Sequence, residues 1–254
     1  MSVLAGSILG VVGAGLGVWG YFRMKSTNLI KSTPTSKIAN ISSGTVEVKG
    51  QAAANQYLTT PFSKKKVIAY RYEVHVIKKE QRETGPAKMH WERAGYNERS
   101  EPFWVQDDTG SAIVYPEGAE WILDGRKSYV QRRGFSLNGM MKMLKTWDRG
   151  QDVDFSKTNL EEVEVGNRST FMKGYVEGDR MYTEEFIEAG EEVYVLGNAA
   201  RQDETPMINK GDGPLIISNK SEDEVFRAMN TSNMILLVVA GILIVGGILL
   251  AVLT

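Results

Sequence analysis

The chain has 254 residues, 30 Lys and Arg against 31 Asp and Glu, and no cysteine. Without thiols, disulfides, thiol catalysis and cysteine-built zinc sites are excluded, and a net charge of −1 gives no reason to expect a nucleic-acid partner. The charge is unevenly spread. Residues 1–100 hold 15 Lys and Arg against six Asp and Glu, whereas residues 101–254 hold 15 against 25.

The first element is an uncharged, glycine-rich apolar stretch, Val3–Phe22. A cleaved signal peptide carries basic residues ahead of its apolar core, but here Arg23, Lys25, Lys31 and Lys37 all follow it. Residues 3–22 are therefore expected to be a retained transmembrane helix. Gly13 and Gly17 stand four apart, a spacing that lets helix backbones approach closely, and Gly241 offers the same in the second apolar stretch. The two spans are expected to pack together, within one chain or between copies as a homo-oligomer. Residues 26–37, rich in Ser and Thr around Pro34, read as a polar linker. The four basic residues beside the span suit anionic headgroups, at about 1 kcal/mol each.

Residues 38–220 read as one soluble domain, mainly β, a barrel or sandwich with one or two short helices. Thr45–Gly50 alternates with period two. In Lys66–Ile77, Ile68, Tyr70, Tyr72, Val74 and Val76 share one face, with Arg71, Glu73 and His75 on the other. Lys64-Lys65-Lys66 beside Phe62 forms a charged turn and a second candidate membrane surface. Residues 83–100 lack periodicity and read as a long loop or an irregular hairpin tip. Phe103–Gln106 and Ser111–Tyr115 flank Asp107-Asp108-Thr109-Gly110, a hairpin signal. Leu137, Met140, Met141, Leu144 and Trp147 fall on one helical face. They suit the domain core, the bilayer interface or a partner protein. Strands follow at Glu192–Leu196 and Leu215–Ser218. A short juxtamembrane helix, 221–230, opens with Ser221 before three acids. The second span, 234–253, is an uncharged run of bilayer length.

Few constellations carry chemistry. Asp108-Thr109-Gly110-Ser111 spells an aspartic-protease motif, which requires a second copy to share the proton. The preceding residues are Gln106 and Asp107 rather than an apolar strand, so the turn reading is preferred and a dimeric protease stays a remote alternative. His75 and His90 read as solvated surface residues with no zinc-ligand spacing. The pairs Glu161/Glu162, Glu184/Glu185 and Glu191/Glu192 point to opposite strand faces and read as solvated surface. No catalytic, cofactor or metal site is expected.

The order of these pieces resembles the GIDE family, whose domain is also called the "beside a membrane" domain. The matching segments are G-T-V-E-V-K-G-Q-A (Gly44–Ala52), L-T-T-P-F-S-K-K-K-V-I-A-Y-R-Y-E-V (Leu58–Val74), P-F-W-V-Q-D-D-T-G-S-A-I-V-Y-P-E-G-A (Pro102–Ala119), Y-T-E-E-F-I-E-A-G-E-E-V-Y-V-L-G-N-A (Tyr182–Ala199) and G-P-L-I-I-S-N-K (Gly213–Lys220). The resemblance implies a domain that interacts or senses beside a membrane. Its best-known members are organellar E3 ligases for ubiquitin or SUMO, in which a zinc-binding RING follows the second span. Here no cysteine exists to build one, so ligase activity is not expected, and the shape is similar to RING-less prokaryotic members.

The expected protein is thus a non-enzymatic, two-span scaffold or sensor whose partners are membrane lipids and an unidentified protein. An adaptor in a ubiquitin-like modification pathway is the alternative. Basic residues on the domain side of the first span place the domain in the cytoplasm by the positive-inside rule, against the intermembrane placement that the organellar resemblance implies.

Overall fold

The computed structural model describes residues 2–81, 85, 87–124, 127–131, 161–163, 176–202 and 205–252. Two long helices, α1 (Ser2–Ser32) and α2 (Glu222–Val252), bracket thirteen described strands, so the protein is mainly β with two apolar helices long enough to cross a bilayer. In chain order the strands are β1 (Gly44–Ala53), β2 (Leu58–Thr59), β3 (Lys66–Glu80), β4 (Lys88–Ser100), β5 (Phe103–Gln106), β6 (Ser111–Val114) and β7 (Glu120–Ile122), followed by β8 (Lys127–Gln131), β9 (Glu161–Val163), β10 (Arg180–Glu188), β11 (Glu192–Gln202), β12 (Thr205–Asn209) and β13 (Ile216–Ser218). One sheet has the order β1-β5-β6-β12-β11-β13-β7, and an added β1–β11 pairing closes five of its strands into a barrel-like ring. The other has the order β2-β3-β10-β8-β9, with β4 beside β3.

The chain packs as two units. The first comprises residues 1–50, 106–122 and 193–254, and the second residues 51–105 and 123–192.

In the second unit, β3 and β10 run antiparallel with Tyr72 opposite Glu184 and Tyr70 opposite Phe186. The even-numbered face of β3 enters an aromatic core with Phe62, Tyr129, Tyr182 and Phe186. Phe62 meets Tyr72 edge-on at 5.3 Å and lies 5.0 Å from Tyr182, separations at which ring quadrupoles attract. Within residues 83–100 the long-loop reading gives way to a strand, since Lys88–Ser100 is β4, paired antiparallel with β3 as an irregular hairpin. The strand reads as irregular because it lies outermost, with Lys88, Glu92, Arg93, Glu98 and Arg99 exposed, as edge strands require. A bulge at Ala94 also breaks its alternation: Val74 faces Gly95 while His75 faces Arg93.

In the first unit, α1 continues to Ser32, so most of the expected linker is helix and the non-helical link is confined to residues 33–37. Likewise the juxtamembrane helix and the second apolar stretch are one helix, α2. Each helix is about 46 Å long, exceeding the ~30 Å of hydrocarbon by several turns. The excess packs against strands: Ile30 of α1 and Val225 and Met229 of α2 share a buried cluster with Tyr194, Leu196 and Ile216.

The helices run antiparallel along a seam of small residues spaced by seven. Gly6, Gly13, Gly20 and Thr27 are buried on α1, and Asn233, Ala240 and Gly247 on α2. A Cβ at Gly6 would stand 2.6 Å from the Gly247 carbonyl oxygen, and one at Gly13 would stand 3.0 Å from that of Ala240. Backbone contact therefore holds the pair together, which is how helices associate where solvent offers no hydrophobic drive. Of the glycines singled out in the sequence, Gly13 lies on this seam, whereas Gly17 and Gly241 have nothing within 4 Å. At the seam's end, Asn233 donates to Thr27 Oγ1 at 2.7 Å, and Thr27 donates to the Arg23 carbonyl.

Gly6→Ala is expected to force the helices apart and lower stability by about 1–3 kcal/mol, with Gly241→Ala near neutral. Thermal unfolding of the full-length protein in detergent micelles measures both. Equal effects would refute the seam.

Candidate functional site

The site with the most unusual chemistry lies where the ends of both helices meet β1. Glu47 sits on the alternating strand Thr45–Gly50, and the side chain that period two assigns to the polar face has no exposed surface. A bare carboxylate there costs several kcal/mol, and three partners offset this. The Thr35 hydroxyl, just beyond α1, donates to Oε1 at 2.5 Å, and the Tyr194 hydroxyl of β11 donates to Oε2 at 2.9 Å. Lys49 Nζ stands 3.6 Å away and forms a second ion pair, 2.9 Å, with Glu222 in the first turn of α2. The backbone repeats the tie, since the Ser36 N–H donates to the Glu47 carbonyl at 2.8 Å.

This network links one barrel strand to the segment leaving α1 and to the start of α2. Burial, then the Glu47 charge, push the Tyr194 phenol far above its ordinary value, so it stays a donor. Burial pulls the Lys49 ammonium down, but the hydrogen bond to Glu222 and the charges of Glu222 and Glu47 outweigh it, and its pKa is raised. The start of α2 is fixed by a capping box: the backbone N–H and hydroxyl of Ser221 both donate to Glu224, at 3.1 and 2.6 Å. Of these residues, sequence reasoning reached only the Ser221 cap. The one trace of the rest was Glu47 and Lys49 two apart on one strand face.

Four of the seven basic residues proposed as membrane contacts have partners inside the protein. Arg23 pairs with Glu120 at 2.5 Å and stacks over Trp19 at 5.5 Å. Lys31 lies 4.4 Å over the Phe226 ring, and Lys37 pairs with Asp108, while Lys25 is exposed. Lys64, Lys65 and Lys66 belong to the other unit, where Lys65 pairs with Glu188. Lys64 takes a left-handed φ of 57° in a turn that Glu184 organises by accepting the N–H groups of Phe62 and Ser63 at 2.5 and 3.0 Å. The helix face of Leu137, Met140, Met141, Leu144 and Trp147 lies outside the described residues.

Several readings of polar groups are corrected. Glu184 and Glu185 are buried rather than solvated, the second paired with Arg71. His75 is 6 % exposed, with Glu73 3.7 Å from its Nε2. In each case both faces of the strand are covered, which period two alone does not reveal. The Asp107–Gly110 turn is a clasp. Asp107 accepts the N–H groups of Ile38, Thr109 and Gly110, and the Thr109 hydroxyl accepts that of Ala39. Burial opposes ionisation of Asp107, but these hydrogen bonds, led by the Thr109 hydroxyl, win and hold its pKa below the usual value. Asp108 forms an exposed ion pair with Lys37. Among the described residues, no three His, Asp or Glu side chains converge to hold a metal ion.

Residues 149–253 match the model of the GIDE family, described as an E3 ubiquitin ligase. The match covers 105 of the chain's 254 residues. It takes in β9 to β13 and α2, so Tyr194 and Glu222 of the network fall inside the match and Thr35, Glu47 and Lys49 outside it. The segments quoted from Gly44 to Ala119 also lie outside it. No curated protein and no solved structure matches the chain. The chain has no cysteine and so no thiolate with which to bind RING zinc.

Tyr194→Phe removes one donor from the buried Glu47 and is expected to cost about 1–3 kcal/mol. A raised lysine pKa contributes stability in full below the unfolded value of about 10.4 and loses it as pH climbs through the folded value. Wild type should therefore lose more stability than Lys49→Met between pH 8 and 11 in urea titrations. Identical alkaline slopes would remove Lys49 from the network. In the clasp, Asp107→Ala is expected to cost about 1–3 kcal/mol and Asp108→Ala much less, because its ion pair with Lys37 is solvent-exposed and screened. The reverse order in urea midpoints would contradict the clasp.

Proposed function

We propose that this chain is a non-catalytic, two-span membrane protein of the GIDE family that holds its β domain beside the bilayer as a scaffold for a partner protein or for lipid headgroups. One observation carries the reading: the apolar helices run without a break into the core of the first unit, through Ile30, Val225 and Met229. A flexible tether would only raise local concentration. A helical stalk that is part of the domain core also fixes its height and orientation. The Glu47 network adds a polar lock between stalk and barrel.

A second reading is favoured by the family's description as an E3 ubiquitin ligase. On that reading the chain is an adaptor, and a separate protein supplies the zinc-bound module. On either reading the domain is cytoplasmic, supported by Arg23 and Lys25 directly after the first apolar stretch.

Purified full-length protein in lipid nanodiscs, added to a ubiquitin-charged conjugating enzyme, is expected to leave thioester discharge at its background rate. Accelerated discharge would make it a ligase and overturn the non-catalytic reading. For topology, Glu101→Cys supplies a single exposed thiol. An impermeant maleimide should label it only after lysis, and labelling in intact cells would place the domain outside.

A further inference from the structure

The helices themselves set the depth of the first unit. α1 has no charged side chain before Arg23, and Trp19, Tyr21 and Phe22, exposed by 53, 61 and 61 %, stand just ahead of it. Aromatic residues followed by basic ones mark the level of the headgroups. At that level Arg23 meets Glu120, the first residue of β7, at 2.5 Å. Two residues on, Ile122 packs against the cluster of Ile30, Val225 and Met229. Ile30 is seven residues beyond Arg23 and so about 10 Å farther from the membrane.

Strand β7 therefore climbs away from the bilayer, with Glu120 at its lower end. Strand β13 runs parallel to it, Ile216 opposite Glu120, and leads up to the start of α2. The segments that enter these two strands, 115–119 and 210–215, must then lie on the membrane side of Glu120. They are in contact: the Glu120 N–H donates to the Leu215 carbonyl at 2.7 Å, and a Cβ on Gly118 would stand 3.0 Å from Lys210 Cδ. Each is a tight turn, closed by Ala119 N–H to Pro116 O at 3.0 Å and by Gly213 N–H to Lys210 O at 3.1 Å. Glu117, Gly118, Lys210, Gly211 and Asp212 are exposed, and Tyr115 is 39 % exposed.

We infer that these paired turns rest in the phospholipid headgroup layer of the membrane that α1 and α2 cross, with Tyr115 and Lys210 as the contact residues. The inference rests on the spanning role proposed above. Both side chains suit that layer. A phenol offers an apolar ring and a hydroxyl for ester and phosphate oxygens, and a lysine lays its stem on apolar surface while its ammonium meets phosphate. The charge around them is balanced, Lys25 and Lys210 against Glu117 and Asp212, which suits zwitterionic lipid rather than selecting anionic lipid. Lys31 lies eight residues beyond Arg23, about 12 Å above the layer.

The cysteine-free chain makes the test direct. Glu117→Cys, Asp212→Cys, Ala39→Cys and Val12→Cys are each labelled with nitrobenzoxadiazole in the full-length protein and reconstituted in phosphatidylcholine vesicles. Nitroxide lipids then quench from either the headgroup or the mid-acyl position. The probes at 117 and 212 are expected to be quenched by the headgroup nitroxide at least threefold more than the probe at 39, and the probe at 12 by the acyl nitroxide. If the turns are quenched no more than position 39 while position 12 is quenched, the spans stand and the inference falls. An unquenched probe at 12 would overturn the spanning role and the inference with it. Contact that appears only after phosphatidylserine is added would overturn the charge-balanced surface.

Discussion

A carboxylate without exposed surface must be matched by donors or it destabilises the fold, and the donors that match Glu47 come from both ends of the chain. Thr35 arrives from the segment after α1 and Tyr194 from β11, while Lys49 bridges Glu47 to Glu222 at the head of α2. Removing any one leaves buried charge with less compensation. The cost of burying Glu47 is thereby turned into a requirement that the two helices and the barrel strand be present together. An apolar contact would tolerate sliding; this network fixes a register.

Below that lock, the helices are held by different physics. The seam uses glycines that bring backbone against backbone and a terminal Asn233–Thr27 hydrogen bond, the means by which helices would associate between lipid tails, where there is no hydrophobic drive. The seven-residue spacing keeps one face of each helix turned toward the other over its length. Large side chains such as Val11, Val18, Ile235 and Ile242 remain exposed on the outside, where lipid rather than water would meet them. The polar lock and the glycine seam act on the same pair of helices, so a displacement of either helix is felt at β1.

The second unit adds an aromatic core and buried ion pairs, Arg71 with Glu185 and the Glu184 carboxylate on the turn at Phe62. Its buried charged side chains therefore serve the fold.

The sequence by itself determined the elements whose physics is local. The two apolar runs, the strands with clean alternation, the turn at Asp107–Gly110 and the Ser221 cap all follow from period, charge and hydrogen-bonding capacity within a few residues. The tertiary structure alone decided what depends on a distant partner. Lys88–Ser100 is a strand because β3 lies beside it, although its own pattern is that of a charged edge. Glu47, Glu184 and His75 occupy positions that alternation assigns to solvent, yet a second layer covers them. Gly13 meets α2 while Gly17, on the same helix, does not, because the contact recurs every seven residues and no single helix specifies which of its faces the other will choose.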